Sequence, residues 1–235
     1  MFNGLVPMEE VAYFLLPMSK KAKVPVVLHL DHGLTREACL EALELGFTSI
    51  MYDCSTDPFE DNIKKVAEMA KIAHSYGATI EGELGHVGNN EDSVEGEHLD
   101  QQFMYTDPDV AAEFVKRTQI DALAIAVGTA HGTYTLPPKL DFDRIEKVAG
   151  LVDIPLVLHG GSGLTNEDFQ EAIHRGIAKI NIFTDLNVAG ARAVKETIES
   201  GKVTLTDFTI PIYKSVKEKT IEKMKLFNSC GHGIQ

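Results

Sequence analysis

"VVLHLDHGLT", residues 26–35, is an apolar, β-branched run that ends in two histidines flanking an aspartate. Short apolar runs of this kind, rich in Val and Ile, read as strands. Six of them recur: 24–30 (VPVVLHL), 48–52 (TSIMY), 78–84 (ATIEGEL), 121–127 (DALAIAV), 155–159 (PLVLH) and 178–182 (AKINI). The stretches between carry apolar residues three and four apart, as in Ile63, Val66, Ala67, Ala70 and Ala73, which predicts helices laying one face on a sheet. Helix starts are signalled by Thr35 before REACLEALELG and by Asp57-Pro58 before FEDNIKKVAEMAKIAHSYG. Strand and helix therefore alternate, and no linker-like stretch divides the chain, so residues 1–235 read as a single α/β domain on a parallel sheet. The segment 85–107, GHVGNNEDSVEGEHLDQQFMYTD, is too long and polar for a crossover and is expected to be a functional lid or disordered.

Such an alternation builds either an open doubly wound sheet or a closed (β/α)8 barrel. No G-x-G-x-x-G follows the first strand, and HGGSG (159–163) lacks the lysine of a P-loop. The barrel is favoured, in an N-terminally incomplete form, because six βα units are present where closure needs eight.

Three strand ends share one dipeptide: His32-Gly33, His131-Gly132 and His159-Gly160. In a barrel all strand C-termini converge on one face, so these imidazoles can meet around a metal and form an open Zn²⁺ site. Asp31 admits three roles there, orienting a histidine, ligating, or carrying a proton. Neighbours on a regular strand point to opposite sides, so it is expected to carry the proton rather than to coordinate beside His32. Asp53 (MYDCS) and Glu83 (EGELG) end the next two strands. They are expected to hydrogen-bond loop backbone and histidine N–H groups, or to serve as alternate metal ligands. His29 shares parity with Asp31 and is expected inside the barrel, one layer down. His74 and His174 fall in helices, His86 and His98 flank the polar loop, and His232 lies near the end of the sequence; these are expected to be incidental. HGGSG and NIFTDL (181–186), the latter opening a helix, offer glycine turns and a helix N-terminus, which bind phosphate without basic side chains.

Composition narrows the field. A net charge of -13 opposes a sequence-independent nucleic-acid surface. No apolar run approaches the roughly 20 residues of a membrane span, and MFNGLVPMEEV does not read as a secretion signal. Three widely spaced cysteines, Cys39, Cys54 and Cys230, fit a reducing compartment, so a cytoplasmic location is expected. In the helix IPIYKSVKEKTIEKMKLF, Ile212, Val216, Ile221, Met224 and Phe227 form a face expected to pack on the barrel or on a neighbour.

The motifs HLDHG, EGELGHVGNNED, GTAHGTY, LVLHGGSGL and KINIFTDL, in this order, resemble the zinc-dependent class II ketose-bisphosphate aldolases, which cleave fructose- or tagatose-1,6-bisphosphate. The resemblance spans residues 8–228 and implies a TIM barrel whose third to eighth strands are those seen here, the first two βα units being absent. It implies Zn²⁺ on His32, His131 and His159, with Asp31 exchanging the C4-hydroxyl proton and Glu91 acting as a mobile acid/base at C3. Gly132, Gly160, Gly161, Ser162, Asn181, Ile182, Phe183 and Thr184 would hold dihydroxyacetone phosphate, with a monovalent cation (Na⁺ or K⁺) near its phosphate. The partners implied are a sugar phosphate and further copies of the chain, as a homodimer or homotetramer. GTAHGTYT lies closer to the tagatose branch, because Thr135 stands where many fructose-bisphosphate enzymes carry lysine. Two other functions stay open at this point: a non-catalytic barrel subunit that binds metal or phosphate and stabilises a partner enzyme, and an aldolase for another phosphorylated sugar.

Overall fold

The computed structural model describes residues 6–85, 88–89, 105–131 and 139–232, of which 88–89 and 130–131 are described for their backbone alone. The elements run α1 (Met8–Lys21), β1 (His29–Gly33), α2 (Arg36–Leu45), β2 (Ser49–Tyr52), α3 (Phe59–Ser75), β3 (Thr79–Leu84), β4 (Gly88–Asn89), α4 (Pro108–Thr118) and β5 (Ala122–Ile125). They continue through β6 (Ala130–His131), α5 (Phe142–Ala149), β7 (Leu156–Leu158), α6 (Asn166–His174), β8 (Ile177–Ile180), α7 (Thr184–Glu199) and α8 (Leu205–Leu226). Six strands form one parallel sheet in the order β1-β2-β3-β5-β7-β8, in register Leu30, Ile50, Ile80 across its first three. The short β4 and β6 pair with each other beyond the C-terminal ends of β3 and β5.

The sheet is curled into a barrel-like half-cylinder, and the side chains show it. β1 and β8 are the two ends of the strand order, yet Lys179 Nζ lies 3.3 Å from His29 Nε2, and Asn181 Nδ2 donates to Asp31 Oδ1 at 2.8 Å. Alternation separates two environments. Ile50, Ile80, Leu123, Ile125, Leu156 and Leu158 are buried with helix residues Val66, Met69, Phe114, Ile145 and Phe169 in one continuous apolar core. The opposite parity, His29, Glu81, His159 and Lys179, meets on the concave side through its own hydrogen bonds. This is the α/β barrel-type class that the strand runs predicted.

Two local expectations change. The first predicted strand, 24–30, is paired only from His29 onward, while Val24, Val26 and Val27 lie exposed; among the described residues no strand flanks β1 on that side. Thr35 caps α2 as expected, accepting from the Ala38 N–H at 3.1 Å. α3 likewise starts where Asp57-Pro58 signalled it, with Pro58 at the cap position and the Asp57 carboxylate paired with Lys65 at 2.8 Å. The face expected on the last helix is only partly realised. Ile212 and Val216 pack over Gly190 and Phe227 packs at a tilt against Phe169, but Ile221 and Met224 are exposed, and the buried member of α8 is Lys223.

Candidate active site

The end of β1 departs from regular geometry. Pairing with β2 slips between Leu30 and Gly33, and His32 adopts a left-handed backbone, φ 48. The expectation that Asp31 and His32 diverge is therefore overturned: the bulge rotates both to the concave side, where ligand atoms of Asp31, His32 and His159 lie within 4.8 Å of one another. Gly33 makes this possible. A Cβ there would stand 2.6 Å from Met51 O and 2.7 Å from Cys39 Sγ, so only glycine lets the bulge settle on β2.

The two imidazoles are aimed by carboxylates. His32 Nδ1 lies 2.8 Å from Asp53 Oδ2, and Asp53 is itself fixed by the Ser55 hydroxyl and N–H at 2.7 and 3.0 Å. His159, wholly buried at the end of β7, places Nε2 2.8 Å from Glu81 Oε1. Glu81 Oε2 accepts from Lys179 Nζ at 2.6 Å. Burial opposes the charge on both acids, but hydrogen bonds win. His32 and Ser55 hold Asp53 below the usual carboxylate range, and His159 with Lys179 brings Glu81 down to about 2. As anions these groups only accept, so each ring donates from the nitrogen facing its carboxylate. The remaining nitrogens, His32 Nε2 and His159 Nδ1, face each other 3.0 Å apart.

Two ring nitrogens turned acceptor-first toward one another call for a cation or a shared proton between them. Burial works against the His32 imidazolium, yet the hydrogen bond to Asp53 and the charges of Asp31, Asp53 and Glu81 raise its pKa above the ordinary value. Imidazole nitrogens about 2.0–2.1 Å from a tetrahedral zinc stand roughly 3.4 Å apart, close to the spacing found. The donor set, two oriented imidazoles with the Asp31 carboxylate beside them, fits a divalent metal.

The other site residues divide cleanly. Asp53 and Glu83 form, with His32, a second cluster of possible ligands. His29 sits one layer down, Nδ1 2.8 Å from Ser49 Oγ, with burial and Lys179 depressing its pKa to about 4. Ser162 is buried, and its hydroxyl accepts from the Asp185 N–H at 3.3 Å, tying the glycine turn to the N-terminus of α7. Gly160 has φ 64, and a Cβ on Gly161 would press on Ile180, Phe169 and Ile182 at 3.2–3.3 Å. Asn181 reaches Asp31, Ile182 is half-buried, Phe183 caps α7 with nearly half its surface exposed, and Thr184 begins that helix. The backbone of His131 is placed in β6, but its side chain, and Gly132, Glu91, His86 and His98, lie outside the described residues, as does most of the expected lid. Glu81 and Lys179 were not singled out from sequence. The signal was present: charged side chains at inward parity inside the apolar runs ATIEGEL and AKINI.

Comparisons with known proteins agree with this geometry. Residues 3–232 match the sequence profile of the family described as fructose-bisphosphate aldolase class-II. The chain is 43% identical over 233 residues to YdjI of Escherichia coli (strain K12), covering 98% of this chain and 81% of that protein. It is also 43% identical over 214 residues to the fructose-bisphosphate aldolase of Geobacillus stearothermophilus, covering 90% and 73%. The crystal structure of the YdjI aldolase superposes with a TM-score of 0.86 at 40% identity, covering 99% of this chain and 81% of that one. Carboxylate-aimed imidazoles on a curled parallel sheet, a glycine turn tied to a helix start and a profile match along nearly the entire chain lead to one assignment: this protein belongs to the class II fructose-bisphosphate aldolase family of carbon–carbon lyases.

Proposed function

We propose that the protein reversibly cleaves a ketose 1,6-bisphosphate, tagatose- or fructose-1,6-bisphosphate, into dihydroxyacetone phosphate and glyceraldehyde 3-phosphate, with Zn²⁺ held by His32, His131 and His159. The observation that carries this reading is the Asp31 carboxylate set beside two imidazoles whose acceptor nitrogens face each other. A zinc ion bound there supplies Lewis acidity toward the substrate carbonyl. Asp31 takes the proton of the C4 hydroxyl, the C3–C4 bond breaks, and its electron pair is left on C3 beside the carbonyl as the C4 aldehyde departs. Glu91 returns a proton to C3. Asn181, hydrogen-bonded to Asp31, keeps that carboxylate pointed at the reacting carbons. The phosphate of the dihydroxyacetone half is received by Gly132, by Gly160, Gly161 and Ser162, and by Ile182, Phe183 and Thr184 at the start of α7, with Na⁺ or K⁺ alongside.

A coupled assay on Zn²⁺-loaded protein, run with both bisphosphates and a panel of other phosphorylated ketoses, tests the reading. Triose phosphate should appear from at least one bisphosphate, vanish with a chelator and return with Zn²⁺. Release from another ketose alone would reassign the substrate, and silence across the panel would end the activity claim. One observation favours a second reading, a barrel subunit that stabilises a partner enzyme: among the described residues no strand pairs with the outer side of β1 or of β8. Tight metal binding without any turnover would select it.

A further inference from the structure

We propose that Lys179 is a positioning residue of the metal site, holding Glu81 so that the His159 ring presents Nδ1 to the cation. The inference rests on the metal-dependent reading above. Its physical content is a relay across the concave face: Lys179 Nζ to Glu81 Oε2 at 2.6 Å, Glu81 Oε1 to His159 Nε2 at 2.8 Å, and His159 Nδ1 to His32 Nε2 at 3.0 Å. The base of the relay is braced by His29, whose Nε2 is 3.3 Å from Lys179 Nζ and whose Nδ1 is held by Ser49. β1, β2, β3 and the terminal strand β8 each contribute a member, and His159 follows directly on β7.

An imidazole can rotate by half a turn and offer either edge to a metal, so something must choose. The choice falls to the carboxylate at the far nitrogen, as is general for metal-bound histidines. Glu81, however, has three side-chain torsions and is buried on a face that also holds His29 and Ser49. Without a second anchor its carboxylate can turn away from His159. Lys179 is that anchor, a cation from the end strand β8 taking the oxygen that His159 does not use. Buried ion pairs seldom stabilise a fold better than apolar groups of the same size, so stability alone gives little reason for this lysine.

The test uses the full chain as wild type, Lys179→Met, Lys179→Arg, Glu81→Met and the Glu81→Met/Lys179→Met double variant. Zn²⁺ affinity is read by chelator competition, and the His159 tautomer by two-bond ¹H–¹⁵N spectra of the metal-free protein. Lys179→Met should weaken Zn²⁺ binding by about 10–100-fold and turn a pure Nε2–H tautomer into a mixture. Lys179→Arg should recover most of both, and Lys179→Met should add less than about twofold once Glu81 is already methionine. A folded Lys179→Met with unchanged affinity and tautomer overturns the proposal, as do losses that multiply in the double variant. Should Lys179→Met not fold, the double variant decides, because it removes charge and counter-charge together; wild-type Zn²⁺ affinity in it overturns the proposal. Wild-type protein that binds no Zn²⁺ sinks the metal reading instead, and the relay is then judged on the tautomer alone.

Discussion

His32 holds its imidazole on a left-handed backbone, a conformation that costs a non-glycine residue about 1–3 kcal/mol and survives only where surroundings over-determine it. Here the determinants are the Asp53 hydrogen bond on one side and the close seat of Gly33 against β2 on the other. Gly33→Ala should lower stability by about 1–3 kcal/mol in urea unfolding, because the new methyl meets the Met51 carbonyl, which is backbone and cannot step aside. An unchanged midpoint would mean that the bulge is looser than its contacts imply. Asp31 is the complementary case, exposed and bonded only at its tip to Asn181 among the interactions seen. Asp31→Asn should leave folding intact and reduce kcat by about 10²–10⁴, with bound Zn²⁺ retained, since its assigned work is proton transfer. Full activity in that variant would transfer the role to another group.

Among the elements, α7 and α8 meet at the glycine turn proposed to receive phosphate. Asp185 lies in the first turn of α7, where the helix dipole welcomes a carboxylate but an incoming phosphate would not. Lys223, buried on α8, offsets that charge at 2.6 Å from Asp185 Oδ2, and its ammonium lies 4.7 Å from the Phe169 ring centroid. The last helix thus holds the first turn of α7 as well as covering the core. Lys223→Met should raise KM for the phosphorylated substrate about fivefold, roughly 1 kcal/mol, with kcat nearly unchanged. Steady-state kinetics checks this, and a fall confined to kcat would contradict it.

Over the molecule as a whole, most acids among the described residues are solvated at the surface, while Glu81 and Glu83 are buried, and Glu81 and Asp53 are each bound to an imidazole of the concave face. It is the imidazole-bound pair, Glu81 and Asp53, that bears on pH. Both of these have folded pKa values below their ordinary ones, so their contribution to stability is full above the unfolded carboxylate range and is lost as pH falls through the folded value. For Glu81 that window runs from 4.5 down to about 2. Metal-free protein should therefore show a urea midpoint that falls as pH drops below about 4.5, more shallowly in Glu81→Gln. Identical slopes in both proteins would show that the buried network is not what titrates. At the same scale, none of the described helices is long and apolar enough to cross a membrane.

The six strands of the main sheet, their order of appearance and the inward placement of His29 and His159 were legible in the chain, because each is written in short-range pattern: β-branched runs and period-two alternation. Glu81 and Lys179 could be seen as charges inside apolar runs, but not as a pair, since nothing local links residues 98 apart. That Asp31 and His32 share one side needed the bulge, a property of how β1 seats on β2 rather than of either strand. The tautomers of His32 and His159 were likewise undetermined until their carboxylate partners were in place. Outside the β1 bulge, the sequence by itself determined which side chains face inward; only the tertiary structure, through that bulge and through the curling of the sheet that brings β8 back over β1, decided which of them touch, because contact across a concave face depends on curvature that no single strand encodes.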